Sequence, residues 1–175
     1  MAVRCGRDPE TGYTLIEMLA VIAIIAIVAG GAMLTVSGGA SRQLRQEAER
    51  LDQTLQMAAD EAVFQGTEMG AYFTTSGYGF LRYDTTAQGW RELDGNAFGA
   101  HLLPAELRLA LTLGRTPLEL PSGATHGAAH PAVLFLSSGE TTAFSLSLSS
   151  RGDNRRIMIG TDGMTPITLR EGGEQ

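Results

Sequence analysis

The stretch "ETGYTLIEMLAVIAIIAIVAGGAMLTV", residues 10–36, decides how the rest of the chain is read. Glu17 stands at its head, and from Met18 to Ser41 no charged residue follows. About 20 apolar residues suffice for a helix to cross a bilayer, so residues 18–41 predict a single membrane span. A carboxylate inside such a span costs about 2.5–3.5 kcal/mol at the bilayer centre and less near an edge. Glu17 is at the edge, where it is tolerable, but a chance location is only one reading of it. If the chain were cut between Gly12 and Tyr13, a new α-amino group would lie one helical turn away. Such an amine, with an ordinary pKa of about 7.7–8, is largely cationic near neutrality. The helix N-terminus favours the carboxylate further. In a bundle of such helices Glu17 would then pair with the amine of a neighbour and fix subunit register.

Outward from this stretch the chain falls into parts. Residues 1–12, "MAVRCGRDPETG", are short, polar and broken by Pro9 and Gly12, and read as a leader. Residues 13–41 are the apolar part of a helix and residues 42–66 its amphipathic continuation. There Leu44, Ala48, Leu51, Leu55, Ala58 and Ala62 recur at steps of three and four, a stripe along one helical face. Arg45, Glu49, Asp52, Gln56 and Asp60 fall largely on the other side, and Gly66 supplies a stop. Gly30–Gly31 and Gly38–Gly39 are the expected weak points of the helix. One reading of the stripe is packing on the chain's own sheet; another gives Leu44 and Ala48 to neighbouring subunits.

Residues 67–175 change to short runs with period-two alternation: "GAYFTT", "YGFLRYD", "LRLALTL", "AVLFLSS", "AFSLSLSS", "RIMIG" and "TPITL". "SRGDNRR" reads as a hairpin turn, and "PLELPSGATHGAAHPA" as a long exposed loop. The expected fold is α+β, a long N-terminal helix packed on an antiparallel β-rich unit.

Charge and residue types bound the chemistry. The net charge is −6, and from Arg42 onward 11 Arg face 16 acids, a poor footing for nucleic acid. The single cysteine, Cys5, precedes the apolar run, so the β-rich part has neither a disulfide nor a thiol nucleophile. His126 and His130 lie four apart in a Gly/Ala/Pro loop without further ligands, and no metal is expected. His101 reads as a strand or edge residue, Trp90 and the tyrosines at 72, 78 and 83 as core and cross-strand packing. No phosphate loop and no nucleophile with a base partner occurs, so no enzyme, cofactor or small-molecule substrate is expected. An ordinary secretory signal cut near "AGGA" is the rival for the apolar segment; against it, the helical pattern continues smoothly past that point.

"YTLIE" after Gly12, followed by "MLAVIAIIAIVAGGAML", resembles the class III signal of type IV pilins and type II secretion pseudopilins. The resemblance implies cleavage after Gly12 by a prepilin peptidase and N-methylation of Tyr13. It makes Thr14, Leu15 and Ile16 part of the signal, and Glu17 the glutamate that pairs with an N-terminal amine during assembly. Tyr13 stands where the family usually has phenylalanine, and Arg4 and Arg7 of the leader are balanced by Asp8 and Glu10. Orientation in the inner membrane therefore rests on the resemblance more than on leader charge.

Beyond the signal, "AERLDQTLQMAADEAVFQG", "GAYFTTSGYGFLRYD", "GWREL", "LPAELRLAL" and "AVLFLSSGETTAFSLSLSS" with "RIMIGTDGM" resemble the H-type minor pseudopilins of type II secretion systems. That implies a pilin-like fold with a sandwich-like pair of sheets and a periplasmic C-terminal domain. It also implies a subunit near the tip of the pseudopilus that meets the major pseudopilin and other minor pseudopilins. FimT-like minor pilins of type IV pili, some linked to DNA uptake, share the domain and are the alternative. From Arg151 to Gln175 four Arg face four acids, which disfavours a DNA-binding tail.

Overall fold

The computed structural model describes residues 15–95, 97–123, 130–151 and 155–172, the side chains of 28–38 excepted. Among the described residues one helix, α1 (Leu15–Gln65), precedes ten strands. The chain divides into two compact units, residues 1–39 and 40–175, with the division at Gly39 inside the second of the two expected glycine weak points.

In the second unit the helix stripe is buried as its spacing requires. Leu44, Ala48, Leu51, Leu55, Ala58 and Ala62 are at most 1% exposed. Each buried Leu stabilises the domain by about 1.5–3 kcal/mol, and the alanines let strands approach the helix closely. This settles the two readings of the stripe: Leu44 and Ala48 belong to the chain's own core, which leaves them no surface for a neighbour. Gly66 ends the helix in the left-handed conformation (φ 61°), where a side chain would be strained. The Thr67 amide then donates to the Ala62 carbonyl at 3.1 Å, closing the last turn.

The strands form two antiparallel sheets. The first contains β1 (Met69–Thr74), β2 (Gly77–Asp84), β3 (Gly89–Glu92), β4 (His101–Leu102) and β7 (Val133–Phe135). Its order is β3-β2-β1-β7, with β4 also paired to β2. The second contains β5 (Leu107–Leu113), β6 (Thr116–Leu118), β8 (Phe144–Ser150), β9 (Arg156–Thr161) and β10 (Thr168–Gly172). Its order is β10-β9-β8-β5-β6. One core joins helix and sheets, with Met69, Ala71, Phe73 and Phe80 from the first sheet and Leu109, Leu146, Leu148, Ile157 and Ile159 from the second. The fold is thus α+β, as expected.

Phe144, Leu146, Leu148 and Ser150 alternate as buried positions with the half-buried Ser145, Ser147 and Ser149. The strand expected over "AVLFLSS" is shorter, ending at Phe135. There the Gly139 amide donates to the Leu136 carbonyl at 2.9 Å and Leu136 to Glu140 at 2.8 Å, which folds the segment back on itself. The strand expected over "TPITL" begins later, at Thr168, because Asp162 organises the preceding turn. Asp162 Oδ1 accepts hydrogen bonds from the Met164 and Thr165 amides and the Thr165 hydroxyl, at 3.0, 2.8 and 2.8 Å. Those donors hold its carboxyl below the usual range.

Candidate functional site

The residues singled out at the N-terminus meet the structure unevenly. Gly12, Tyr13 and Thr14, together with the expected cleavage point, lie outside the described residues. Leu15, Ile16 and Glu17 form the first turn of α1, with Glu17 the acid of that turn. Leu15 is 79% exposed and Ile16 76%. Onward to Ile27 every residue is exposed, Ile22, Ile24 and Ile25 each by 60% or more. A helix that is apolar on all sides and covered on none has no stable place in water; it requires hydrocarbon or other helices around it. Among the described residues, no helix is long and apolar enough to cross a membrane. The span expected over 18–41 runs through residues 28–38, whose side chains lie outside the description.

The second unit ties its helix to both sheets by polar contacts at the rim of the core. Arg45 donates to Glu49 on the helix and to Glu171 on β10, both at 2.8 Å. On the other sheet, His101 Nε2 meets Glu47 Oε2 at 2.9 Å, with both side chains mostly buried. The imidazole lies 5.2 Å from the Tyr78 ring, whose buried hydroxyl makes no hydrogen bond among the described residues. Burial pushes that hydroxyl up to about 12. Asp52 takes a hydrogen bond from Gln56 on Oδ2, but burial holds its carboxyl above the usual range.

Aromatic residues fulfil packing roles. Tyr72 and Tyr78 are buried, and Tyr83 stands opposite Trp90 across β2 and β3, edge to face at 5.5 Å. His101 sits on the short strand β4, His130 is exposed, and His126 lies outside the described residues. Of the expected turn "SRGDNRR", residues 152–154 lie outside the described residues. Among the described residues no group of three or more His, Cys, Asp or Glu side chains is placed to hold a metal ion.

An open groove of about 790 Å³ crosses the second sheet between the β5–β6 turn and β10. Small Ser145 and Gly160 form part of its lining, and Arg115 and Arg170 offset Asp162 and Glu171. Such a balanced rim does not favour a ligand of either sign.

Three large apolar residues on the domain's part of the helix are exposed where the polar pattern gives no hint of them, Val63 at 51% among them. Met57 is 49% exposed and Phe64 87%.

Comparison with known proteins places the architecture. A family model described as type II transport protein GspH matches residues 47–163. The chain belongs to the GspH family. A prokaryotic N-terminal methylation motif matches residues 7–33. A type II secretion system protein H of Pseudomonas aeruginosa is 35% identical over 159 residues, covering 87% of this chain and 91% of that one. One from Escherichia coli is 26% identical over 153 residues, covering 86% and 88%. The minor pseudopilin EpsH of the Vibrio cholerae type 2 secretion system superposes with a TM-score of 0.65 at 22% identity, covering 76% of this chain and 99% of EpsH. The solution structure of E. coli GspH gives 0.57, covering 75% and 90%. The family match and the 35% identical relative point to type II secretion, and the type IV pilus alternative is not favoured.

Proposed function

We propose that this GspH-family chain is held in the inner membrane by residues 13–41, with residues 67–175 in the periplasm. It joins a periplasmic pseudopilus near its tip once the leader 1–12 is removed. The exposed, all-round apolar turn-upon-turn of residues 15–27 carries the reading. Such a surface passes from hydrocarbon into a bundle of like helices without ever meeting water, and lateral sliding along such helices costs little.

What sliding leaves free, Glu17 sets. Cleavage between Gly12 and Tyr13 creates the amine, and a prepilin peptidase that cuts there also methylates Tyr13. The methylation-motif match over residues 7–33 supports this processing. Within a bundle, the carboxylate of Glu17 pairs with the amine of a neighbouring subunit. Breaking such a desolvated pair costs about 3–5 kcal/mol, enough to select one register. The major pseudopilin and other minor pseudopilins supply the neighbouring helices, and the export of folded proteins depends on the resulting tip.

N-terminal sequencing of the membrane-associated product tests this reading. A start at methyl-Tyr13 is expected, whereas a start near Met33 sinks it. Gly12→Val is expected to retain the full leader, seen as a precursor band on a gel. Glu17→Ala is expected to be cut normally yet to enter the filament poorly, with secretion reduced. Normal incorporation of that variant refutes the register role.

A further inference from the structure

The charge-free run of residues 18–41 ends where arginine begins. Arg42 and Arg45 follow on the helix, in "SRQLRQ" at 41–46, with no acid among them. The connection between β8 and β9 includes "RGDNRR" at 151–156, three arginines against one acid. The fold brings these two segments together. Arg155 Nη1 donates to the Ser41 hydroxyl at 2.7 Å, and Arg45, one turn further along the helix, reaches Glu171 on β10 at 2.8 Å. Arg42, Arg45, Arg151, Arg155 and Arg156 are all exposed.

Acids reach this end of the domain but are outnumbered. Arg45 meets both Glu49 and Glu171, and the Arg151 amide donates to the Glu106 carbonyl at 2.7 Å. Next to Glu106, Arg108 adds a guanidinium held by the Ala105 and Leu107 carbonyls at 2.9 and 2.7 Å. With Asp153 of the connection counted in, six arginines stand against four acids, Glu49, Glu106, Asp153 and Glu171. The remaining sequence from Arg42 onward carries five arginines against twelve acids. The sign of the charge therefore reverses between this end and the rest, in a domain that is acidic as a whole.

We propose that this arginine end docks on the anionic phospholipid headgroups of the bilayer that holds the chain. The inference rests on the membrane reading above and adds to it a second, electrostatic attachment outside the apolar helix. If residues 13–41 lie in the membrane, Ser41 and the guanidinium of Arg155 that it meets stand at headgroup level. A guanidinium presents paired donors that match the oxygens of a phosphate. Each arginine near an anionic surface strengthens binding about fivefold. The same surface repels the acidic remainder, so the domain settles with its arginine end toward the lipid.

The test uses the full chain, with Cys5→Ser, in vesicles of phosphatidylcholine alone or with phosphatidylglycerol added, both carrying a headgroup nitroxide. A fluorophore is attached through Ala105→Cys, an exposed position beside Glu106, or as a control through Met164→Cys, beyond the far end of β9 and 94% exposed. Quenching at position 105 is expected to be about threefold stronger in the anionic vesicles, and to return to the neutral level at high salt. At position 164 it should stay low in both. Gln at 151, 155 and 156 together should abolish the gain, and Lys at the same three positions should keep most of it. The parent's own dependence on lipid and salt decides the matter even where the Gln variant fails to fold. Equal quenching at position 105 in both vesicles overturns the proposal, and is the result expected if an acidic subunit is the patch's sole partner. Equal quenching at position 164 overturns it as well. Flotation of the same samples separates the two readings. A chain that floats with neutral vesicles but shows no anionic gain overturns the docking and leaves the membrane anchor standing. A chain that floats only with anionic vesicles supports the docking and overturns the anchor, and one that floats with neither overturns both.

Discussion

His101 Nε2 and Glu47 Oε2 stand 2.9 Å apart, joining a two-residue strand to the long helix. Strand β4 has little else to hold it: two residues pair with β2, and Leu102 is exposed. With both side chains more than four-fifths buried, removing one partner leaves the other without its hydrogen bond in a poorly hydrated place. Glu47→Ala and His101→Ala are each expected to cost about 1–2 kcal/mol in chemical denaturation followed by Trp90 fluorescence. The double variant should cost clearly less than the sum, and strict additivity would show that the pair is not coupled.

The small-residue stripe predicts an asymmetry among helix substitutions. Leu51→Ala opens a cavity and is expected to cost about 2–5 kcal/mol. Ala58→Leu has no space to occupy and is expected to cost about 1–3 kcal/mol through displaced strands. Phe64→Ser, on the outer face, should stay within about 0.5 kcal/mol. Thermal melts of the three variants check the order.

Acid titration should separate Asp52 from Asp162. Burial raises the folded carboxyl of Asp52, so its charge destabilises the fold above that pKa and the deficit vanishes as pH falls and the group is protonated. Asp52→Asn is expected to melt higher than the parent at pH 7 and to converge with it in acid. Amide donors lower the folded carboxyl of Asp162, so its contribution is present above the unfolded pKa and is lost as pH falls through the folded one. Asp162→Asn should melt lower at pH 7 and also converge in acid. Parallel melting curves across the range would count against both assignments.

Gly160 is a close-approach position in the second sheet. A Cβ there would lie 2.4 Å from the Phe144 carbonyl oxygen and 3.1 Å from the Ser145 Cα, both backbone. The clash can be relieved only by parting β8 from β9. Gly160→Ala is expected to speed amide hydrogen exchange across β8 and β9 by tenfold or more, a loss on the order of 1.4 kcal/mol. Unchanged protection there would show that the strands absorb the methyl.

What could be read in the sequence is what repeats. Six stripe positions at steps of three and four fixed the helix and the side it buries, and alternation over Phe144–Ser150 gave β8 and its inward face. The core and cross-strand roles of Tyr72, Tyr78, Tyr83 and Trp90 were legible from their place in strands. Strands β4 and β6 were not, since two or three residues cannot display a period and their pairing is decided by distant partners. Strand β7 was read too long because "AVLFLSS" alternates past the point where the turn at Gly139 takes over. The exposure of Met57, Val63 and Phe64 was invisible for another reason: it depends on where the sheets lie, and no local pattern states it.

The core holds a further consequence. Among the described residues none of its members precedes Leu44. The domain can therefore finish folding without any contribution from the apolar first half of the helix. On the proposed maturation, cutting between Gly12 and Tyr13 would leave that finished part untouched and change only the end of the chain that Glu17 serves.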